Sequence, residues 1–518
     1  MRSLLLFILI LTSGITSGQH LNVLVGNNNS PNEPAISINP NNTSELVAAS
    51  NIDNFYYSTD GGFTWTSGTL TSTYGVWGDP AIACDTAGAF YFFHLSNPPG
   101  GNWIDRIVCQ RTAAPGQAWN NGSFAGLNGS KMQDKQWIDI DRSTNTIYMC
   151  WTEFDQYGSN NPLDSSRIFF ASSSDQGTSW SAPVRINALG GDCLDSDNTV
   201  EGAVPAAGPN GQVYVAWAGP QGIVFNKSLN GGQTWMAQEQ VVDPMPGGWD
   251  MDIPGIYRAN GLPVTVCDRS GGPNTGTIYI NWCDQRNGIT DTDVWLVKST
   301  DGGATWSTPA RVNDDTTQRQ QFFTWMTVDQ ATGYLWFVFY DRRNYSNTTT
   351  DVFMAVSKDG GNTFTNFKVS SSPFIPSSGV FFGDYTNITA YDNVVRPIWT
   401  RLDNFNLSVW TAIVDTSTLT GNALLESENS LLHEQNYPNP FSDQTAFSFK
   451  LHAPSFVTIK IYDLTGRVTC MVSNNQFYNQ GKHVVVFDPK KYGLAAGTYS
   501  YEIVSGASVV RRKMLFIN

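Results

Sequence analysis

Ser58-Thr-Asp-Gly-Gly-Phe-Thr-Trp65 decides the fold, because versions of this stretch recur along the chain. The best second copy is Ser299-Thr-Asp-Gly-Gly-Ala-Thr-Trp306. Looser copies occupy residues 112–119, 173–180, 228–235 and 357–364. Successive copies stand roughly 54 to 71 residues apart, and a fixed period of this kind indicates one repeated structural unit.

The motif has the chemistry of a tight hairpin turn. Its Ser and Asp side chains can accept hydrogen bonds from backbone N–H groups, its glycines tolerate positive φ, and its aromatic residue can pack beneath the turn. Each interval has room for four short antiparallel strands. Four-stranded sheets repeated around a channel form a β-propeller.

The repeat predicts seven blades, with six as the alternative count. In the third unit the strands are expected at 136–140, 147–151, 167–171 and 183–186. The last unit, which ends near residue 414, lacks a fourth strand, and residues 21–25 are expected to supply it by strand-swapped closure. The predicted class is all-β, with a propeller followed by a small β-sandwich.

Bulk composition restricts the possible partners of the chain. The 518 residues carry a formal net charge of −14, which disfavours nucleic acid and anionic membranes as partners. The seven cysteines form no CxxC pair and have no His at zinc spacing, so buried free thiols are favoured over a structural zinc site.

Both ends of the chain carry features of export. Residues 1–18 have a basic start, a short apolar run and small residues, which predicts a secretory signal peptide. The apolar run is too short to span a bilayer, and no later segment resembles a membrane helix. A polar stretch at 414–433 is interpreted as a linker between a propeller at 19–413 and a second β domain at 434–518.

The second domain resembles the type A C-terminal sorting domain of the Bacteroidetes type IX secretion system. The resemblance rests on Asn436-Tyr-Pro-Asn-Pro-Phe441, Tyr462-Asp-Leu-Thr-Gly-Arg467, Leu494-Ala-Ala-Gly-Thr-Tyr499 and the basic end Arg511-Arg-Lys513. It implies passage through the periplasm, contact with the type IX machinery and removal of the domain. The product would be delivered to the cell surface or the medium.

The repeated turn is similar to the Asp-box or BNR repeat, and residues 30–413 resemble the sialidase (neuraminidase) superfamily. The resemblance implies an exo-glycosidase that acts on an anionic sugar of an extracellular glycan or glycoprotein and requires no cofactor. Sialidases proper have six blades, so a seventh favours other Asp-box propellers, which include polysaccharide lyases. The usual Arg-Ile-Pro near the propeller start is missing, since Asn32-Glu-Pro-Ala-Ile36 occupies that region.

Topology predicts which end of the ring holds a site. The repeated turns join the third and fourth strands of each unit, so they lie at one end of the channel. The starts of first strands and the ends of second strands surround the other end. The residues that we expect there as ligand contacts are Asp79, His94, Trp137, Glu153, Glu201, Asp341, Asp384, Tyr385 and Arg401. An insertion that carries Trp249 and Arg258 is predicted to overhang this end.

The sialidase resemblance implies an arginine clamp for a carboxylate, a Tyr nucleophile activated by a Glu, and an Asp acid. The candidates, in that order, are Arg286, Arg343 and Arg401, then Tyr385 with Glu201, then Asp79. Arg286 and Arg343 also recur in matching Asp-x-Arg-Asn contexts. That recurrence favours structural ion pairs as a second interpretation.

Three further interpretations stay open. A polysaccharide lyase would need a base, for which His94, a tyrosine or Lys135 is available, and a propeller that only binds glycan or protein needs none. Trp137 and Trp249 are candidates for stacking on sugar rings. The oxygens of Asp192, Asp195 and Asp197 are dense enough to bind calcium, although the loop lacks the EF-hand pattern and is also typical of a solvated acidic loop.

Overall fold

A computed structural model of the protein describes residues 20–416, 432–433, 435–451, 455–463, 467–479, 481–505 and 508–517. The predicted signal peptide at 1–18 and most of the predicted linker at 414–433 lie outside these ranges. The chain divides into two compact units, Met1–Leu419 and Thr420–Asn518. Within the described residues, no helix has the length and apolar character needed to cross a membrane.

The first unit contains seven four-stranded antiparallel sheets, which confirms the favoured blade count. The chain starts with β1 (Leu21–Gly26). Blade 1 contains β2 (Ala35–Ile38), β3 (Leu46–Ser50), β4 (Asn54–Ser58) and β5 (Thr66–Thr69), and blade 2 contains β6 (Ala81–Cys84), β7 (Phe90–Leu95), β8 (Ile107–Thr112) and β9 (Ser123–Ala125). Blade 3 contains β10 (Met132–Asp141), β11 (Thr146–Phe154), β12 (Ser166–Ser173) and β13 (Val184–Arg185).

The remaining blades follow the same order along the chain. Blade 4 contains β14 (Glu201–Ala207), β15 (Val213–Gly219), β16 (Gly222–Ser228) and β17 (Gln240–Asp243), and a two-stranded ribbon follows with β18 (Asp250–Met251) and β19 (Ala259–Asn260). Blade 5 contains β20 (Val264–Cys267), β21 (Ile278–Asp284), β22 (Asp293–Ser299) and β23 (Ala310–Arg311). Blade 6 contains β24 (Gln321–Val328), β25 (Leu335–Asp341), β26 (Asp351–Ser357) and β27 (Thr365–Lys368). Blade 7 contains β28 (Asn387–Tyr391), β29 (Val394–Asp403) and β30 (Asn406–Ile413).

The N-terminal strand closes the ring, as the sequence predicts. Strand β1 pairs with β30, with Leu21 opposite Ile413, and so becomes the fourth strand of blade 7. The first strand of each blade contacts the first strands of its neighbours, and β2 contacts β28. These seven strands therefore form a closed wall around a central channel.

The repeated turn has the predicted hydrogen bonds. In its first copy the Ser58 hydroxyl donates to Asp60 at 2.8 Å and accepts from the Gly62 N–H at 2.9 Å. The Asp60 carboxylate accepts from the Thr64 N–H at 2.9 Å, and the Trp65 indole donates to the Gly62 carbonyl at 3.1 Å. Because Gly62 has φ +90°, a residue with a side chain would be strained there.

Large aromatic side chains in the second strands fill the space between neighbouring blades. Five fully buried tryptophans come from the second strands of blades 3 to 7, namely Trp151, Trp217, Trp282, Trp336 and Trp399. All seven cysteines are free thiols and six of them are buried. The core thus lies between the blades, and the channel mouths are left to polar side chains.

The second unit has two sheets of its own. One sheet contains β31 (Leu432–His433), β32 (Thr445–Leu451) and β35 (Gly481–Phe487). The other contains β33 (Ser455–Tyr462), β34 (Val468–Tyr478), β36 (Gly497–Ser505) and β37 (Ser508–Phe516), and a short 3-10 helix spans Pro489–Tyr492. Phe447, Ile459 and Tyr501 are fully buried in its core.

Candidate functional site

The starts of the innermost strands converge on a cavity of about 400 Å³ at the mouth opposite the repeated turns. Two cations and three acids line it, namely Lys135, Arg258, Glu33, Asp79 and Asp134. The first strands run away from this mouth towards the turns. The predicted end of the ring therefore carries the polar cavity.

Lys135 lies at the centre of an acidic cluster. Its ammonium is 2.9 Å from Asp384, 3.3 Å from Asp79 and 4.0 Å from Glu33. Burial alone would lower the pKa of Lys135, but Asp384, Asp79 and Glu33 raise it well above the usual value. Because Lys135 belongs to blade 3 and its partners to blades 7, 2 and 1, one cation connects four blades.

Arg258 reaches the same cluster from the insertion, as predicted. It directly precedes β19 of the ribbon, donates from Nε to Asp384 at 3.1 Å and from Nη1 to Asp195 at 2.8 Å. Its guanidinium also lies over the ring of Phe381, 5.5 Å from the centroid. Asp384 is thus held between two cations, which outweigh its burial and lower its pKa.

The acids of the cavity are divided into two kinds. Burial, with the nearby charge of Asp79, raises the pKa of Glu33 well above its usual value. The same two causes raise the pKa of Asp134 to about 8. Glu33, whose pKa is raised, and Asp384, whose pKa is lowered, therefore stand around the same ammonium. Paired acids with pKa values driven apart are typical of acid–base sites.

The backbone aims these side chains at the channel mouth. Glu33, Asp79 and Lys135 have φ of 51°, 50° and 48°, a left-handed conformation that is uncommon for residues other than glycine. Each stands just before or within the first strand of its blade. Phe323 in blade 6 has the same conformation, with φ of 51°, so this backbone position recurs with the blade and sets the direction of the side chains at the strand starts.

Sequence reasoning missed Glu33, although a signal was present. Glu33-Pro-Ala-Ile36 in blade 1 has the same pattern as Asp79-Pro-Ala-Ile82 in blade 2, and both stand at the start of the first strand of their blade. In the sequence analysis this region is noted only for the absence of the Arg-Ile-Pro motif. An alignment of the blades with one another would have placed Glu33 beside Asp79.

The predicted pair of Tyr385 and Glu201 is not formed. Within residues 20–416 the buried hydroxyl of Tyr385 has no hydrogen-bond partner. Its ring packs edge-on against Trp137, with centroids 4.9 Å apart. Glu201 is fully buried, and burial together with Asp195 and Asp134 raises its pKa well above the usual value. The Tyr385 hydroxyl therefore makes no hydrogen bond to a carboxylate, and burial together with the charges of Glu33, Asp79 and Asp384 raises its pKa well above the usual value.

Aromatic side chains edge the cavity. Trp77 and Trp103 are 39% and 38% exposed and meet edge to face at 6.1 Å between centroids. Trp103 meets Tyr157 in the same way at 6.1 Å, and the Tyr157 hydroxyl donates to Asp195 at 2.5 Å. Trp103 and Tyr157 had no repeated pattern to reveal them. Exposed indoles beside polar groups suit the faces of sugar rings.

The structure does not assemble the predicted arginine clamp. Arg286 bonds Asp284 and Asp243, at 2.9 and 2.8 Å, and lies 4.5 Å from the ring centroid of Trp295. Arg343 donates to Asp341 at 2.7 Å, which also keeps Asp341 away from the cavity. This arrangement matches the alternative interpretation, structural ion pairs.

The third clamp candidate, Arg401, is bound in blade 7 and its surroundings. It pairs with Asp403 at 2.5 Å and donates to the backbone carbonyl of Ser372 at 2.8 Å. An arginine at a strand end can serve a loop contact or a ligand, so sequence alone could not separate the two uses.

Three other predicted contacts also lie away from the cavity. His94 is fully buried, its Nδ1 is 2.8 Å from the Leu95 carbonyl oxygen, and burial lowers its pKa to about 4. Glu153 accepts a hydrogen bond from Asn128 at 2.9 Å. Trp249 is buried and donates to the Thr199 carbonyl at 3.2 Å. His94, one of the residues considered as the base of a lyase reaction, is thus enclosed in blade 2.

The three aspartates considered for calcium have separate partners. Asp192 accepts from the Thr199 hydroxyl at 2.7 Å, Asp195 pairs with Arg258, and Asp197 accepts from the Asp250 N–H at 2.8 Å. Across the part of the chain that the structure describes, no group of three His, Cys, Asp or Glu residues is arranged to hold a metal ion.

Comparison with known proteins identifies one part of the chain. No curated protein sequence matches it significantly. An ulvan lyase is structurally similar at 12% identity and TM-score 0.46, over 76% of this chain and 96% of that one. The Hadza microbial sialidase Hz136 is similar at 13% and TM-score 0.40, over 72% and 74%. Likenesses of this order carry no information about a substrate.

A family model described as a secretion system C-terminal sorting domain matches residues 435–518. These residues include the sequence features that resemble the type IX sorting domain. The chain is therefore an exported protein whose residues 435–518 belong to the secretion system C-terminal sorting domains, which deliver it to the cell surface or the extracellular space.

Proposed function

We propose that the propeller binds an extracellular glycan in the cavity around Lys135 and hydrolyses a glycosidic bond, with Glu33 as proton donor and Asp79 as the partner carboxylate. The observation that carries the proposal is the meeting of these two acids at one ammonium, 4.0 and 3.3 Å from it. Glycosidases use two carboxyl groups, one protonated and one ionised, on either side of the scissile bond.

The two acids differ as the reaction requires. Burial and the charge of Asp79 raise the pKa of Glu33 well above its usual value, which favours the protonated form that a proton donor needs. Asp79 pairs with Lys135 as a carboxylate and its side chain is 13% exposed in the cavity. A buried acid beside a more accessible carboxylate is the arrangement by which one site supplies both acid and base.

The charges of the site favour an uncharged sugar over the anionic sugar expected from the sialidase resemblance. Lys135 and Arg258, the two cations that line the cavity, are both paired with carboxylates of this chain. Binding a sugar carboxylate would need a cation to leave its partner in a partly buried site, which costs free energy. A neutral sugar can instead use the carboxyl oxygens as hydrogen-bond acceptors.

The exposed indoles of Trp77 and Trp103 supply the rest of a glycan site. They stand at the edge of the cavity that Asp79 and Glu33 also line. Stacking of a sugar ring on an indole buries apolar C–H surface and orients the ring over the acids. These residues equally support a second candidate, a propeller that binds glycan without cleaving it.

The test uses the full mature chain and a panel of neutral and anionic polysaccharides, with release of reducing sugar as the readout. We expect cleavage of a neutral glycan, reduced by about 10²–10⁴-fold in Glu33→Gln and Asp79→Asn, because each removes one partner of acid–base catalysis. Asp314→Asn is the matched control, since Asp314 is 55% exposed, pairs with Arg343 and is not among the residues that line the cavity.

The other outcomes are equally informative. Saturable glycan binding that Trp77→Ala and Trp103→Ala abolish, without sugar release by wild type, establishes the binding module and refutes the hydrolase. Cleavage that survives Glu33→Gln and Asp79→Asn unchanged removes these two acids from the mechanism.

A further inference from the structure

A second feature lies in the channel itself, on the side of the Lys135 cavity that faces the repeated turns. The seven innermost strands enclose a space of about 180 Å³. Its lining includes Arg142 and Arg269, which follow the far ends of β10 and β20, on the side of the repeated turns. Asp139 and Gln330 line the same space. The lining of this space thus has two cations and one acid, whereas the cavity at the opposite mouth has two cations and three acids.

Arg142 is an arginine without an anionic partner. Within residues 20–416 its guanidinium forms no ion pair, and its buried Nη1 has no hydrogen-bond partner. The group lies 5.2 Å from the ring centroid of Tyr391. Burial lowers the pKa of Arg142, and the nearby charge of Arg269 lowers it further. A guanidinium does not lose its proton at ordinary pH, so the charge remains in the channel wall.

Arg269 does not relieve this excess of charge. It donates to Asp139 at 3.2 Å and to the Ile140 carbonyl at 3.1 Å, while its buried Nε has no partner in the described part of the chain. Asp139 also accepts from the Ala207 N–H at 2.8 Å. Two partly buried guanidinium groups therefore share one carboxylate that already accepts a backbone hydrogen bond, and incomplete compensation of charge in such a site is unfavourable.

We propose that the channel binds a small inorganic oxyanion, sulfate or phosphate, between Arg142 and Arg269. Guanidinium groups match oxyanions because their N–H donors are fixed in one plane and bind two oxygens together. Both arginines line the channel space, and the guanidinium of Arg142 has no ion pair within residues 20–416 that an anion would have to displace. The proposal is independent of the glycan site, which lies at the other mouth.

The test is thermal unfolding of the full mature chain at fixed ionic strength, with chloride replaced by sulfate or phosphate. We expect Tm to rise with a saturable dependence on the anion, because a ligand that binds only the folded state stabilises it. Sulfate also stabilises proteins in general, by an effect that does not saturate. Isothermal titration with either salt gives the affinity directly.

The variants separate the site from general salt effects. Arg142→Gln should weaken anion binding at least tenfold and keep the part of the Tm rise that does not saturate. Without the anion its Tm should be higher than that of wild type, because the uncompensated charge of Arg142 is gone. Arg142→Lys should bind with intermediate affinity. Arg185→Gln, on the exposed outer strand β13, should bind as wild type does.

Crystals soaked in selenate give a readout that does not depend on the folding of a variant. Anomalous signal between Arg142 and Arg269 supports the proposal. It is overturned if wild type shows neither saturable binding nor that signal, or if Arg142→Gln binds the anion as tightly as wild type.

Discussion

At the scale of single residues, Lys135 determines the character of the site. Its ammonium contacts acidic side chains from three other blades, so the strand starts of the ring converge on one charge. Without it, Asp79 and Asp384 would face each other across a partly buried space with Arg258 as the remaining cation. The arrangement explains why the two cations of the cavity are not free to bind an anionic ligand.

Lys135→Met should therefore destabilise the propeller strongly. Removal of one partner from a buried ion pair typically costs about 3–5 kcal/mol, because the other charges stay buried. Urea unfolding at neutral pH measures the loss. Lys368→Met is the matched control, since Lys368 is 40% exposed in its contact with Asp351 and should cost less than about 1 kcal/mol. Equal, small losses in both variants would contradict this account of Lys135.

Asp134 gives a pH dependence of known sign. Its pKa rises from 3.8 in the unfolded chain to about 8 in the folded one, because of burial and the charge of Asp79. Below about pH 4 both states carry the proton, and from there to about pH 8 only the folded state does. Wild-type stability should therefore fall as pH rises across this window, by on the order of 1 kcal/mol per pH unit from this group.

Asp134→Asn removes that slope. The variant should gain stability relative to wild type as the pH is raised from about 4 to about 8, since an amide has no proton to lose. Denaturant unfolding of both proteins at several pH values within the window measures the difference. A difference that stays constant with pH would show that Asp134 titrates normally in the folded protein.

The sequence predicted part of this site for a clear reason. Asp79, Asp384 and Arg258 were placed at the cavity because strand starts and the insertion follow from topology. For Arg286 and Arg343 the local Asp-x-Arg-Asn pattern already indicated ion pairs with Asp284 and Asp341. The second partner of Arg286, Asp243, stands 43 positions away along the chain and was not predicted. Contacts between blades cannot be seen in a local pattern.

At the scale of elements, the repeated turn is a small hydrogen-bonded unit that tolerates substitution within limits. In blade 6 the Asp359 carboxylate accepts from the Thr363 N–H at 2.9 Å and from its hydroxyl at 2.7 Å. In blade 4 the side-chain amide of Asn230 has the same role. It accepts a hydrogen bond from the Thr234 N–H at 2.9 Å and donates one to the Thr234 hydroxyl. The chemistry needs an acceptor at this position, not a charge.

Substitution of Asp359 tests that statement. Asp359→Ala should cost about 0.5–2 kcal/mol, the usual loss when a side chain that caps backbone N–H groups is removed. Asp359→Asn should remain close to wild type, following the natural example of Asn230. Thermal and urea unfolding of the two variants give the comparison. An Asn variant as unstable as the Ala variant would show that the charge of Asp359 matters in itself.

Most elements could be predicted because the turn has a fixed place within each blade. Even the degenerate copy was assigned correctly, since Thr112 still closes the turn through hydrogen bonds to the carbonyls of Ala114 and Gln117. The cavity's aromatic edge was predicted less well. Trp103 stands in the connection between β7 and β8, where length and sequence differ from blade to blade and no repeat applies.

At the scale of the whole molecule, the ring is closed by a strand from the opposite end of the propeller sequence. Pairing of β1 with β30 covers the edge that blade 7 would otherwise expose. Main-chain hydrogen bonds between residues almost 400 positions apart in the chain therefore close the propeller. That separation is roughly the full length of the unit.

A chain that begins at residue 27 should be markedly less stable. It lacks β1, so β30 becomes an open strand edge that favours self-association, and we expect Tm to fall by on the order of 5 °C or more. Differential scanning calorimetry and size-exclusion chromatography check both effects. A peptide with the sequence of residues 20–26 should restore part of the loss by pairing with the open edge. Identical melting of the truncated and mature chains would contradict this role of β1.

The closure has a consequence for biogenesis. Strand β1 is synthesised early but pairs with β30, which ends at Ile413. The propeller therefore cannot be completed before translation has passed residue 413. Until then blade 7 is incomplete and the ring stays open, so closure can only follow synthesis of the whole unit.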